Sequence, residues 1–217
     1  NAATLTYNPR TVDIDQFNSR TTELRLLQEY AFLGKKSTLV AGVQYINNDL
    51  HRRQLGIGST DSDYDVSIDP VAGWGRDIHY KTQNVAFFAE NKFQLTQKLS
   101  VTPGIRYESG TSKLSGTLVY YDPEDLPTTI AHKFPLLGMN ADFVINNKQN
   151  LYAGWSQAYR PVILKDIVPG SVFERTDKNL EDAYGYTAEI GWRGAAGGFK
   201  WDVSTFRLQY NNRLGSV

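Results

Sequence analysis

The chain predicts an all-β fold, an antiparallel up-and-down barrel wall that crosses a membrane. Three observations carry that expectation. Residues 82–108 alternate apolar and polar side chains for about a dozen positions on either side of a short Thr96-Gln97-Lys98 break. Short and long connections then alternate along the sequence. Aromatic side chains gather at both ends of the alternating runs. Side chains of a strand point to opposite faces at period two, so each run has one apolar and one polar face. Ordinary strands are about five or six residues long. Runs of roughly ten to twelve, tilted, match the apolar band of a membrane barrel.

The first hairpin, in chain order, sets Leu24, Leu26, Tyr30 and Phe32 against Glu23, Arg25 and Glu29, and turns at Gly34-Lys35-Lys36-Ser37. Leu39, Ala41, Val43 and Tyr45 follow on odd positions. Even apolar positions facing odd ones demand an even loop, and a Lys35-Lys36 turn pairs Phe32 with Leu39 and Tyr30 with Ala41. In the second hairpin Val85, Phe87, Ala89, Phe93 and Leu95 face Leu99, Val101, Pro103, Ile105 and Tyr107. Both sets are odd, so the three-residue loop fits. Its polar face carries Glu90, Lys92, Arg106 and Glu108, with Glu90 diagonal to Arg106. The third hairpin joins Leu137, Met139, Ala141, Phe143 and Ile145 to Leu151, Ala153 and Trp155 through a polar 146–150 loop. The fourth joins Tyr186, Ala188, Ile190 and Trp192 to Trp201 and Val203 through a glycine-rich 194–198 turn. Beyond Thr205 the apolar side moves to Phe206, Leu208 and Tyr210, which reads as a bulge.

Long loops are expected at 47–80, 109–129 and 160–182, and the short turns all belong at the opposite end. Phe32, Phe93, Phe143, Trp192 and Trp201 form one aromatic girdle; Tyr45, Phe87, Tyr107, Trp155 and Tyr186 form the other. A soluble β-sandwich also alternates, but does not sort its connections so strictly by length.

Composition bounds the function. There are 23 basic and 23 acidic residues and no net charge, so bulk electrostatics gives no case for nucleic acid. Absence of Cys removes disulfides and thiolate metal sites. No run of about 18 apolar residues exists, which leaves strands as the means of crossing a membrane. No nucleophile elbow or His-Glu-x-x-His stands in the sequence, so no enzyme is expected. The acidic Asp61-Ser-Asp-Tyr-Asp65 stretch with Asp69 has Val66 and Ala72 where a calcium loop needs Gly and Glu, so neither metal nor cofactor is expected. The opening Asn1-Ala-Ala-Thr-Leu-Thr has no basic or apolar leader, and residues 211–217 trail off a strand without an aromatic terminus. The expectation is a fragment of about eight strands. A small, self-contained eight-stranded barrel with a structural or binding role is the alternative.

Three stretches resemble the barrel of TonB-dependent outer-membrane receptors. They are Asn84-Val-Ala-Phe-Phe-Ala-Glu-Asn-Lys-Phe-Gln-Leu-Thr with Leu99-Ser-Val-Thr-Pro-Gly-Ile-Arg-Tyr107, Asn150-Leu-Tyr-Ala-Gly-Trp-Ser-Gln-Ala-Tyr-Arg-Pro161, and residues 179–193 continued by 206–213. Ala158-Tyr-Arg-Pro-Val162 and Asp182-Ala-Tyr-Gly-Tyr186 are most similar to the ferric dicitrate branch. The resemblance implies a piece of a barrel of roughly 22 strands in the outer membrane of a Gram-negative bacterium. It also implies a plug domain and TonB box outside residues 1–217, uptake of a ferric chelate, and contact with the TonB complex and with outer-membrane lipid and lipopolysaccharide.

Basic residues crowd the expected outer mouth: His51, Arg52, Arg53, Arg76, His79, His132, Arg160, Lys165 and Arg175. Ferric–citrate complexes are anionic, and guanidinium groups bind carboxylates as a fork. Arg52, Arg53 and Arg76 are therefore the expected ligand contacts.

Overall fold

The computed structural model describes residues 9–58, 64–121, 128–169, 173–174 and 180–213, the side chains of 165 and 167 excepted. It holds one eight-stranded sheet in sequential order, every neighbouring pair antiparallel. The strands are β1 (Arg10–Phe32), β2 (Lys35–Gly58), β3 (Arg76–Gln94), β4 (Leu99–Leu118), β5 (Thr129–Asn146), β6 (Gln149–Arg160), β7 (Ala183–Ala196) and β8 (Phe199–Asn211). A four-residue helix α1 (Leu164–Ile167) lies between β6 and β7. No described helix is long and apolar enough to cross a membrane, which says nothing about crossing by strands. Among the described pairings β1 and β8 do not meet, so the sheet is open.

All four short turns lie at one end. The first is Leu33-Gly34, with φ of 49° and 71°, the left-handed pair that a two-residue hairpin matching strand twist requires. It falls two residues before the expected Lys35-Lys36 turn, so Tyr30 meets Ser37 and Leu26 meets Ala41. The even count is kept, and so are the faces. The second loop is Thr96–Lys98 as expected: Thr96 Oγ1 accepts the N–H groups of Lys98 (3.1 Å) and Leu99 (2.9 Å). The third is tighter than expected, a two-residue Asn147-Lys148 turn with a register shift between Val144 and Asn146 that restores the odd phase. The fourth is Gly197-Gly198.

Register assembles one apolar face. Leu26, Ala41, Ala89, Ile105 and Leu137 stand in one cross-strand row, and Leu24, Val43, Phe87 and Tyr107 in the next. The large side chains of these rows are exposed, Leu24 at 72% and Phe87 at 57%, and Ala41, Val43 and Ala89 are half-buried between them. A sheet that leaves its largest apolar side chains outside has lipid rather than a core as their solvent.

Two expectations need correction. About half of each loop assigned to 47–80 and 109–129 is strand: β2 runs to Gly58, β3 begins at Arg76 and β4 runs to Leu118. Apolar alternation stops there, but the backbone ladder continues in register with polar side chains outward. The 24 residues of β2 are roughly twice what a tilted strand needs to cross a bilayer. Secondly, β8 has no bulge. Its pairing with β7 runs unbroken from Ala196–Phe199 to Tyr184–Asn211. Phe206, Leu208 and Tyr210 therefore lie on the inner face, while Thr205, Arg207 and Gln209 lie outward.

Candidate functional site

Above the apolar belt the inner face of β2–β4 turns apolar. Ile78, Tyr80 and Leu118 are buried there beneath Val162, Leu164 and Val168 of the β6–β7 connection, with Leu50, Leu114 and Ile130 packed around them. That connection folds back across the sheet and closes a small core on the inner side. Burial pushes the Tyr80 phenol above its ordinary range.

Arg76 is the polar pin of this core and only 5% exposed. Its guanidinium donates to the Gln54 side-chain oxygen (3.0 Å), to the carbonyl of Pro169 (2.7 Å) and, through Nε (3.1 Å) and Nη2, to the Tyr120 hydroxyl. A buried guanidinium needs this many acceptors to stay charged without water. At the same end, Arg160 donates to Asp166 (2.7 Å). The Tyr159 hydroxyl donates to Asp182, whose other oxygen accepts the N–H of Val162 (2.8 Å). Burial, then the Asp182 carboxylate, raises the Tyr159 phenol well above its usual value.

Arg52 also points inward, and Asp15 of β1 receives its fork: Nε to Oδ1 at 3.0 Å and Nη2 to Oδ2 at 2.6 Å. The Asp15 bond holds this guanidinium still more firmly protonated. Arg53, the next residue, points outward and stacks over Trp74 at 5.5 Å. Its Nε is buried and lacks a hydrogen-bond partner among the described residues. Between Arg53 and Gly56 the strand bulges at Leu55 (φ 59°), whose N–H is held by Asp13 at 2.8 Å. A side chain at Gly56 would meet Trp74 and Ile68 within 2.9 Å, so only glycine lets the Trp74 loop lie against β2. The three expected ligand arginines thus do not converge. Two face inward with protein partners and one faces outward.

Lower on the inner face runs a polar network. Gln44 donates to Glu23 (2.6 Å) and accepts from Arg106 (2.9 Å), while Arg106 also pairs with Glu108. Glu108 accepts from Asn84, and His132 bonds to Asn84 at 3.1 Å. Phe88 covers Gly42 and lies between the guanidiniums of Arg25 (6.0 Å) and Arg106 (5.8 Å). The Glu90–Arg106 diagonal is present in the register, but Arg106 turns to Glu108 and Gln44. Nearer the short turns, a recess of about 360 Å³ is lined by Glu90, Asp142, Tyr152, Glu189 and Arg193. Of the acidic 61–69 stretch, Asp65 and Asp69 cap their own turns; Asp61, Asp63 and the mouth residue Arg175 lie outside the described residues. No group of His, Cys, Asp and Glu suited to a metal exists among the described residues.

What sequence reading missed are the partners: Asp15, Trp74, Tyr120 and the Pro169 carbonyl. The spacing of Val162, Leu164 and Val168 is the one sequence signal that marks the connection as buried.

A sequential antiparallel sheet with an apolar outer face, a polar inner face and all its short turns at one end is a segment of outer-membrane barrel wall. The chain belongs to the TonB dependent receptor-like β-barrel family, whose profile matches residues 1–217. Solved structures share the architecture. The unliganded ferric citrate transporter FecA superposes with a TM-score of 0.71 at 19% identity, over 95% of this chain and 29% of that one. The ferripyoverdine receptor of the outer membrane of Pseudomonas aeruginosa gives 0.69 at 19%, over 93% and 26%. The copper transporter OprC gives 0.63 at 19%, over 89% and 30%. The chain spans less than a third of the length of these structures. No curated protein sequence matches it significantly.

Proposed function

We propose that residues 1–217 form part of the wall of a receptor that takes up a ferric chelate across the outer membrane, with ferric citrate as the favoured cargo. In that reading the full barrel has roughly 22 strands and encloses a plug. The TonB complex drives release, and no reaction is catalysed. The observation that carries the reading is the inner face: hydrogen-bonding side chains surround Arg106 on the wall, and the Arg52 guanidinium stands above them beside the small core that the β6–β7 connection closes. Family membership supports the receptor class. The ferric citrate likeness is one of fold alone and sits beside receptors for other ligands, so the choice of citrate rests on the Ala158–Val162 and Asp182–Tyr186 wording and on the cationic mouth.

The three arginines take different parts in this proposal. Arg52 contacts the chelate, exchanging Asp15 for a ligand carboxylate. Arg76 positions the connection that closes over it. Arg53 holds the Trp74 loop. Titration of ferric citrate into the full receptor and its Arg52→Ala, Arg53→Ala and Arg76→Ala forms, at two ionic strengths, tests the assignment. A lost charge-assisted bond of about 1.5–3 kcal/mol weakens binding at least tenfold for Arg52→Ala. Unchanged affinity in all three removes the ligand role from the mouth.

A further inference from the structure

We propose that the wall above the belt opens sideways between β5 and β6 and gives the chelate a side entrance to the lumen; this rests on the receptor reading. Every other neighbouring pair of strands stays laddered to the mouth-side end of its shorter member, among them β4–β5 as far as Lys113–Thr129 and β6–β7 as far as Arg160–Ala183. The β5–β6 ladder stops early, at Gly138–Ser156. Residues 129–137 of β5 and 157–160 of β6 continue beyond it, each strand paired only to its other neighbour among the described residues. The wall is therefore parted from the top of the belt to the mouth.

The two edges are built to stand apart. Free peptide groups are costly where hydrocarbon gives way to headgroups. The first free donor, the Leu137 N–H, is taken by the Gln157 side-chain oxygen at 2.9 Å. Peptide donors alternate along a strand edge, so the next would belong to residue 135, which is proline and has none. Lys133 follows, exposed and one row above the Tyr107–Pro135 pair of the girdle. Proline and lysine on an edge are devices that keep it from pairing. Across the gap the rings of Phe134 and Tyr159 stack at 3.7 Å. The Tyr159 hydroxyl is held by Asp182, which also holds the Val162 N–H, so the upper part of β6 moves with the connection. That connection is latched at its Pro169 carbonyl by Arg76, at 2.7 Å. Just inside the gap His132 reaches across Gly110 to Asn84, at the end of the polar network that runs to Arg106. A Cβ at Gly110 would lie 2.5 Å from that imidazole, so glycine is what lets it cross. An anion that passes the parted rings meets this network without crossing the small core over β2–β4.

The test uses the full receptor in detergent, spin-labelled at Lys133→Cys and Tyr184→Cys, two exposed positions that flank the gap. Pulsed electron spin resonance should give two distances. Arg76→Ala, which unlatches the connection, should raise the weight of the longer one roughly tenfold. Control labels at Met139→Cys and Ile190→Cys, beside the laddered part of the same strands, should give one distance in both forms. Joining the first pair of cysteines with a short bismaleimide should slow capture and release of ferric citrate alike, by about tenfold, at unchanged equilibrium affinity. Equal slowing in both directions marks a closed entrance, whereas a damaged site loses affinity. A single distance across the gap in both forms, wild-type rates in the joined protein, or lost affinity there overturns the side entrance. A wild type that shows both distances and binds no ferric citrate would instead sink the cargo reading while upholding the parted wall.

Discussion

Below the outer aromatic girdle and above it, β2 and β3 keep one register yet bury opposite faces. In the lower half Ala41, Val43, Phe87 and Ala89 point outward, and Gln44, Phe88 and Glu90 point inward. In the upper half Asp49, His51, His79 and Lys81 point outward, while Leu50, Ile78 and Tyr80 point inward. No bulge separates the halves along this pair. The backbone is indifferent to the change, because ladder hydrogen bonds are satisfied either way. What changes is the solvent on each side: lipid outside and a wet lumen inside below, water outside and a packed connection inside above. The outward ladder in the upper half shows the cost of getting this wrong. His51 and His79 stack at 4.0 Å, each tied to a carboxylate, Asp77 at 2.7 Å and Asp49 at 2.8 Å. In hydrocarbon that arrangement would be expensive to bury.

The upper half should break at its core. Ile78→Ala and Leu164→Ala remove side chains that are 1% and 2% exposed, at a local cost of about 2–5 kcal/mol. The expected outcome is faster hydrogen exchange at Val168, whose N–H bonds to Leu164, with the belt amides and the heat-modifiable band unchanged. Simultaneous loss of both regions would show that they are one cooperative unit.

The lower half should break at its outer face. Ala89→Arg and Ala141→Arg put a cation into lipid at a cost of roughly 2–4 kcal/mol and should block refolding in detergent. Thr102→Arg on the inner face and Gln83→Arg on the outward face above the belt should both refold. A defect at Gln83 equal to that at Ala89 would mean the belt extends higher than the girdle indicates.

Arg76→Ala addresses the polar pin of the upper core. Loss of its bonds to Gln54, Tyr120 and Pro169 should cost about 1.5–3 kcal/mol and release the β6–β7 connection, read as proteolytic sensitivity near Pro161–Pro169. Arg76→Lys should not rescue it, since an ammonium cannot reach three acceptors in one plane.

The smallest effect is expected at Tyr159. Its phenol is raised above the unfolded value of ~10, so the folded state holds that proton more tightly. The stabilising bond to Asp182 is complete below about pH 10 and is lost as pH climbs through the folded value. Tyr159→Phe should lower stability by about 0.5–1.5 kcal/mol near neutrality and remove one late-titrating phenolate from the ultraviolet absorbance curve. An identical alkaline profile in the variant would remove Tyr159 from the lock on the connection.

Alternation by itself determined the hairpins, the parities of the first two loops, the outward identity of Leu24, Val43, Phe87 and Ile105, and the placing of all four turns at one end; at the third turn a register shift, not an odd loop, keeps the phase. A period-two pattern in a half-buried strand encodes those things directly. It misread the places where the pattern changes. The polar 47–58 stretch reads as loop, because a strand with water outside and a small core inside no longer shows the belt's alternation. The phase change at Phe206 reads as a bulge, because an inserted residue and a switch of the apolar side chains to the other face leave the same trace in one sequence. Only pairing to β7 separates the two. The partners of Arg52, Arg53 and Arg76 were likewise decided by the tertiary structure: Asp15 and Trp74 arrive from neighbouring elements, and the Pro169 carbonyl from a connection that folds back over the sheet. Side-chain direction is a local property that a strand repeats every second residue. The identity of what a side chain meets there is set by chain segments far away in sequence.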